Sequence, residues 1–200
     1  MVCDDHGPNL EGIEQWCAQI AMARAAGERI VVVSSGAVAA GVLRMGLKQR
    51  PETMHLLQAS AAIGQLEVVN AYSRALEKHG LTAAMVLLTH ADMANRERYL
   101  NARGTLISLL DMGAIPIVNE NDSVATDEIR FGDNDALAAM VASLLDARLL
   151  LLLTDQEGLH ERDPREDPGA PLVQSRRASD PDLAAMALSL IHISEPTRPY

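Results

Sequence analysis

Aromatic residues are nearly missing from this chain: one Trp, three Tyr and one Phe in 200 residues. A core with so few rings must be aliphatic, built from Ala, Val, Leu, Ile and Met. Lysine is scarcer still, with only Lys48 and Lys78, and the formal net charge is -10. There is no basic stripe, since Arg176 and Arg177 are a pair and not a patch. That argues against a nucleic-acid partner. The two cysteines, Cys3 and Cys17, fit neither metal-ligand spacing nor a disulfide framework, a usage that suits a reducing compartment. No apolar run approaches the ~20 residues that span a bilayer, and Leu149–Leu153 is far too short. Asp4 and Asp5 stand where a signal peptide would carry basic charge and then an apolar stretch. A membrane partner is therefore not expected, and the cytoplasm is the default location. GxxxxGK[ST], GxGxxG and GxSxG are all absent, which excludes the P-loop, the dinucleotide fingerprint and the nucleophile elbow.

What is present has the balance of a globular domain, 48% hydrophobic and 22% charged. Leu10, Ile13, Trp16, Cys17, Ile20 and Ala21 recur at helical spacing and place Cys17 in the core, with Gly27 as the cap. Ile30–Val33 is a β-branched run that reads as a strand buried on both faces. It passes through Ser34-Ser35-Gly36 into the Ala-rich Ala37–Gly41 helix. Pro51 opens a long helical region ending at Gly80, and Ala83–Leu88 reads as a second strand. Arg96–Asp111 is helical, and Ala114–Val118 is a third strand. Pro116 inside it predicts an edge position or a bulge, because proline cannot donate to the ladder. Val124–Phe131 suggests a small β-excursion, Asp135–Leu145 a helix, Arg148–Leu153 a very apolar strand, and Asp180–Leu188 a short helix. Strands alternating with helices imply an α/β fold, a three-layer αβα sandwich around a mainly parallel sheet.

In such sheets ligands bind beyond the carboxyl ends of the strands. Polar clusters follow each expected strand: Ser34 to Gly36, Thr89 to Asp92, Asn119 to Asp122, and Thr154-Asp155. Turns favour such residues anyway, so the clusters mark an edge and not a reaction. Ser34-Ser35-Gly36 at a helix start suits a carboxylate or phosphate, or is simple N-capping by serine. Asn119-Glu120-Asn121-Asp122 and Gly132-Asp133-Asn134-Asp135 flank the short excursion. A carboxylate there can hold an α-ammonium group, and a side-chain amide can donate to an α-carboxylate. Together they suit an amino acid better than a sugar or a base. His90 is a loop histidine without a visible partner and reads as polar surface; Arg96, Glu97 and Arg98 read as a solvated first helical turn. Met45, Met54, Met85, Met112 and Met140 read as core filler.

These motifs, in this order and spacing, resemble the amino-acid kinase family, and within it the glutamate 5-kinase branch. The resemblance rests on Val31–Gly41, Leu87–Thr89 with Asp92, Arg96–Arg103, Ile115–Asp122, Phe131–Asp135 and Leu151–Asp155 with Gly158-Leu159. It covers roughly Leu10 to Ala187, and the two Asx-rich clusters point to the branch. It implies ATP-dependent phosphorylation of the glutamate side-chain carboxylate to γ-glutamyl phosphate, the first step of proline synthesis, with Mg²⁺. It implies glutamate contacts at Ser35, Asp122 and Asn134, a glutamate site shaped by Asp133 and Asp135, and ATP contacts at Thr154 and Asp155. It further implies feedback inhibition by proline and a homo-oligomer in the full-length parent.

The resemblance also sets expectations about extent. The family opens with a strand ending in Lys-x-Gly and carries a glycine-rich lysine segment further on. Neither matches anything here, so residues 1–187 read as a truncated kinase domain, without its phosphate-binding lysines and not expected to turn over alone. Residues 188–200 depart from the family and resemble a translated sequencing adapter, a non-native tail. The competing readings are a kinase of aspartate, N-acetylglutamate or a nucleoside monophosphate, and a non-catalytic chain that binds glutamate or proline.

Overall fold

The computed structural model describes residues 3–4, 7–124, 134–154, 158–162, 167, 169–177 and 179–183. The expected excursion at 125–131, Asp133, Asp155 and the tail 188–200 lie outside the described residues, as does the later part of the helix expected from Asp180. The chain divides into two units, Met1–Leu152 and Leu153–Tyr200.

The first unit opens with a two-residue antiparallel pair, β1 (Cys3–Asp4) and β2 (Gly7–Pro8). Helix α1 (Leu10–Ala25) begins where the Asn9 side chain accepts from Gly12 N at 2.9 Å, satisfying an amide that has no partner within the helix. It ends before Gly27, whose φ of 91° is open to glycine at little cost. Then follow β3 (Val32–Val33), α2 (Ala37–Arg44), α3 (Met54–Glu77), β4 (Ala83–Leu88), the short α4 (His90–Ala94), α5 (Arg96–Asp111), β5 (Ile115–Glu120) and α6 (Asn134–Leu144).

The main sheet is parallel, in the order β3-β5-β4. Period-two alternation along β5 divides the core. Ile115 and Ile117 face a cluster with Ile13 and Cys17 of α1 and Val68, Tyr72 and Leu76 of α3. Val118 faces the opposite way, onto Leu106 of α5 and Leu137, Val141 and Leu144 of α6. This is the expected three-layer arrangement, and β5 is buried along its whole length. The buried Cys17 thiol is pushed up to about 11, first by desolvation and then by the charge of Glu14.

Several expectations are corrected. β3 and most of β4 are half-buried, not covered on both faces. Pro116 lies in the central strand, not at an edge. Ile115 N donates to Thr82 O and Asn121 N to Leu88 O, so odd positions of β5 face β4 and even ones face β3. The β3 ladder pairs only Val32 with Ile117 and Val33 with Val118. It begins beyond Pro116, and no donor is required there. Residues 148–153 enter no strand, and Leu151 is 71% exposed. Apolar composition favours burial, but a strand exists only where a neighbour supplies its ladder. Of the methionines, Met140 packs against the core, whereas Met45 and Met112, at the ends of α2 and α5, are exposed.

Helices α2 and α3 meet backbone to backbone. A Cβ on Gly64 would lie 1.9 Å from Ala37 O, and one on Gly41 would lie 1.8 Å from Ser60 O. Since backbone cannot yield as a flexible side chain can, Gly64→Ala is expected to cost about 3 kcal/mol or more. Gly104 in α5 has open space around it, so Gly104→Ala is expected to stabilise by roughly 0.5–1 kcal/mol. Urea unfolding of both variants beside the parent chain checks the pair. Equal effects would show that close helix approach is not what selects glycine at Gly64.

Candidate functional site

The register of the sheet brings three polar clusters to one edge. Ser34 N donates to Val118 O, Asn121 N donates to Leu88 O, and Leu88 is paired with Glu120. The carboxyl ends of β3, β5 and β4 therefore finish together, carrying Ser34 to Gly36, Asn119 to Asp122 and Thr89 to Asp92. The start of α6 belongs to the same edge. Its far end leads to Arg148, which bonds Glu28 ahead of β3 at 2.8 Å, so α6 runs back toward the amino ends of the strands and Asn134 stands at the carboxyl end.

Ser35 sits half-buried in the turn between β3 and α2. Simple capping by serine does not occur: the N-cap is Gly36, with φ of 93°, and no side chain caps α2. Ser34 is buried and its hydroxyl donates to Ser35 O at 3.4 Å. Asp122 follows β5 and is half-buried. Asn134 is the first residue of α6, and its Oδ1 is buried without a hydrogen-bond partner among the described residues. Asp135 is exposed. The structure thus brings Ser35, Asp122 and Asn134 to one edge. Asp133 and Asp155 lie outside the described residues. Thr154 is exposed, belongs to the second unit and ends no strand.

Other residues at this edge were not singled out from the sequence. Gln65 of α3 is buried, and its Oε1 accepts from Asn119 Nδ2 at 2.7 Å. Asn119 Oδ1 in turn accepts from Glu120 N at 2.9 Å. These bonds lock the end of β5 from the α3 side, and Gln65 Nε2 is buried without a partner among the described residues. The available signal was a lone amide on an otherwise apolar helical face. His90, expected to be partnerless polar surface, instead opens α4 with Nδ1 3.5 Å from Glu120 Oε1. Thr89 and Asp92 form a capping box that fixes this helix start. Arg98 is exposed as expected but pairs with Asp92 at 3.0 Å.

Electrostatics single out Asp122. Its carboxyl is pushed up to about 6, first by desolvation and then by the neighbouring Glu120 charge, with Arg50 opposing. Asp92 is displaced the other way. Burial raises it, but the bonds from Thr89 and the Arg98 guanidinium outweigh burial and hold it below the usual range. The edge therefore holds one committed carboxylate, Asp92, and one, Asp122, that would gain from a cation. Neither lysine supplies it. Lys78 is salt-bridged to Glu14 at the α3 end that leads to the amino end of β4, and Lys48 lies exposed in the loop between α2 and α3. Among the described residues no group of three or more His, Cys, Asp or Glu side chains could hold a metal ion, and no helix is long and apolar enough to cross a membrane.

Residues 3–188 match the model of the amino acid kinase family. The chain is 57% identical over 185 residues to a protein named glutamate 5-kinase from Azoarcus sp. (strain BH72), covering 92% of this chain and 50% of that protein. It is 52% identical to the protein of that name from Ralstonia pickettii (strain 12J), and 55% identical to the one from Thioalkalivibrio sulfidiphilus (strain HL-EbGR7). Each covers 92% of this chain and 49% of the relative. The chain thus spans about half the length of the curated relatives it matches. With a parallel sheet between two helical layers and a polar site at its carboxyl edge, the chain belongs to the amino acid kinase family.

Proposed function

We propose that the protein to which this chain belongs is a glutamate 5-kinase, which transfers the γ-phosphoryl group of ATP to the side-chain carboxylate of glutamate. The observation that carries the reading is the juxtaposition of Ser35, Asp122 and Asn134 at one sheet edge, with Asp122 half-buried and short of a cation. The names of the relatives support the choice of substrate.

In this reading Asp122 receives the α-ammonium group, and the Asn134 side-chain Nδ2 donates to the α-carboxylate. Ser35, at the glycine-turned start of α2, faces the anionic reacting end. A glutamate side-chain oxygen forms the new bond to phosphorus as the bond to the bridging oxygen breaks, and ADP leaves with that electron pair. Such transfer depends on positioning and charge neutralisation more than on a covalent nucleophile. Mg²⁺ enters with ATP as part of the substrate. Thr154 and Asp155 are assigned to the nucleotide, and Asp133 and Asp135 to shaping the glutamate site, on the resemblance. The same reading places the protein in the cytoplasm, in proline biosynthesis, as a homo-oligomer inhibited by proline.

Two measurements check it. In the whole protein, Asp122→Ala is expected to raise the glutamate KM on the order of 100-fold, the scale of losing one partner of a desolvated charge pair. The ATP KM should barely move. Because the contact needs ionised Asp122, whose carboxyl is held up to about 6, kcat/KM for glutamate should fall about tenfold per pH unit below that value. A selective rise in the ATP KM would overturn the division of the site.

Stability provides a readout independent of turnover. Ionising a carboxyl raised from 3.8 to about 6 opposes folding, so the penalty is absent below the lower value and full above the upper one. At pH 8, Asp122→Asn is expected to be more stable than the parent by about 2 kcal/mol after discounting for solvent screening, a gain that vanishes near pH 4. Denaturant unfolding across pH checks the sign.

A further inference from the structure

A buried carboxylate next to a substrate-facing carboxylate needs an electrostatic explanation. Glu120 ends β5, its side chain is only 5% exposed, and it stands two positions before Asp122. The Glu120 charge makes Asp122 harder to ionise. His90 Nδ1 lies 3.5 Å from Glu120 Oε1. The imidazole is held there by local structure: Leu88 is in register with Glu120, β4 ends at that residue, and the Thr89–Asp92 capping box starts α4 at His90. Asp92 cannot compete for the imidazole, because one of its oxygens accepts from Thr89 and the other from Arg98 at 3.0 Å.

We propose that His90 is a positioning residue: held at ion-pair distance, it balances the buried Glu120 so that Asp122 keeps its charge for an incoming ammonium group. The inference rests on the reading of Asp122 as the ammonium site, and it extends that reading to a residue on another strand's helix. Among the described residues, the charged groups around Asp122 are few. Glu120 acts from β5 and Arg50 from the loop before α3, on opposite sides of the balance. His90 and the Asp92–Arg98 pair stand on α4 and α5. Asp135 on α6 is exposed, and the residues offered by β3 and α3 at this edge, Ser34, Ser35 and Gln65, are neutral.

The test is a carboxyl-carbon NMR titration of Asp122 in the intact chain, its signal assigned with Asp122→Asn. His90→Gln should move the Asp122 midpoint upward by roughly half a pH unit or more, as expected for unmasking a neighbouring like charge. His90→Lys, which restores a cation, should move it back. In a Glu120→Gln background, His90→Gln should have little further effect. An unchanged midpoint in a folded His90→Gln chain would overturn the proposal, and so would an equal shift in both backgrounds. In the whole protein the acid limb of kcat/KM for glutamate should follow the midpoint, with the ATP KM unmoved. A midpoint that moves while glutamate binding does not would sink the ammonium reading of Asp122 and leave the coupling of His90 to Glu120 standing.

Discussion

The burial of β5 along all six of its residues is the constraint on which the rest depends. Its first four residues are apolar or proline and serve both faces of the sheet, while its last two are Asn119 and Glu120. Burying an amide and a carboxylate is costly unless each finds partners. The partners come from two other elements and from β5 itself: Gln65 of α3 bonds Asn119, the Asn119 side chain accepts from the next amide, and His90 of α4 approaches Glu120. Satisfying the end of one strand therefore fixes a helix on each side of it. It also places Asp122, the next acid along the chain, at the mouth of the edge so defined.

The same constraint explains why glycine is needed away from the chemistry. Gln65 reaches Asn119 only if α3 lies close over the sheet, and α3 shares that space with α2. Gly41 and Gly64 let the two helices meet at backbone distance. The helix that carries Gln65 is thereby packed against the helix that opens at Gly36, so both sides of the edge are held by one packing interaction. The electrostatics follow from the geometry. Asp92 is satisfied by Thr89 and Arg98 and sits low, whereas Asp122 faces Glu120 and sits high. Two acids of one type are driven apart by their surroundings.

Much of this was legible in the sequence because it depends on local pattern. β4 and α5 occupy the residues their periodicity predicts, and α6 differs by one position at each end. Apolar runs ending in polar clusters marked one edge of the sheet, and it was the family resemblance, not the pattern, that singled out Ser35, Asp122 and Asn134 along it. Where expectation failed, a long-range partner decided the outcome. Pro116 suggested an edge position or a bulge because proline lacks a donor, yet a neighbour that pairs only from Val32 onward leaves its position without need of one. Leu149–Leu153 has the composition of a buried strand and stays exposed because no ladder receives it. Gln65 gave only the weak signal of a lone amide on an apolar helical face, and His90 none, since their partners lie 54 residues away for Gln65 and on another strand for His90.

By itself, then, the sequence determined the alternation of helix and strand, the aliphatic core and the set of polar tips, since each rests on periodicity and turn chemistry within a few residues. Only the tertiary structure decided that β5 is the central strand, that Gln65 and His90 serve its end, and which of two nearby aspartates is left seeking a cation. Those outcomes depend on burial and on charges brought together from distant parts of the chain, and the energy of a charge depends on its neighbours in space, not on its neighbours in sequence.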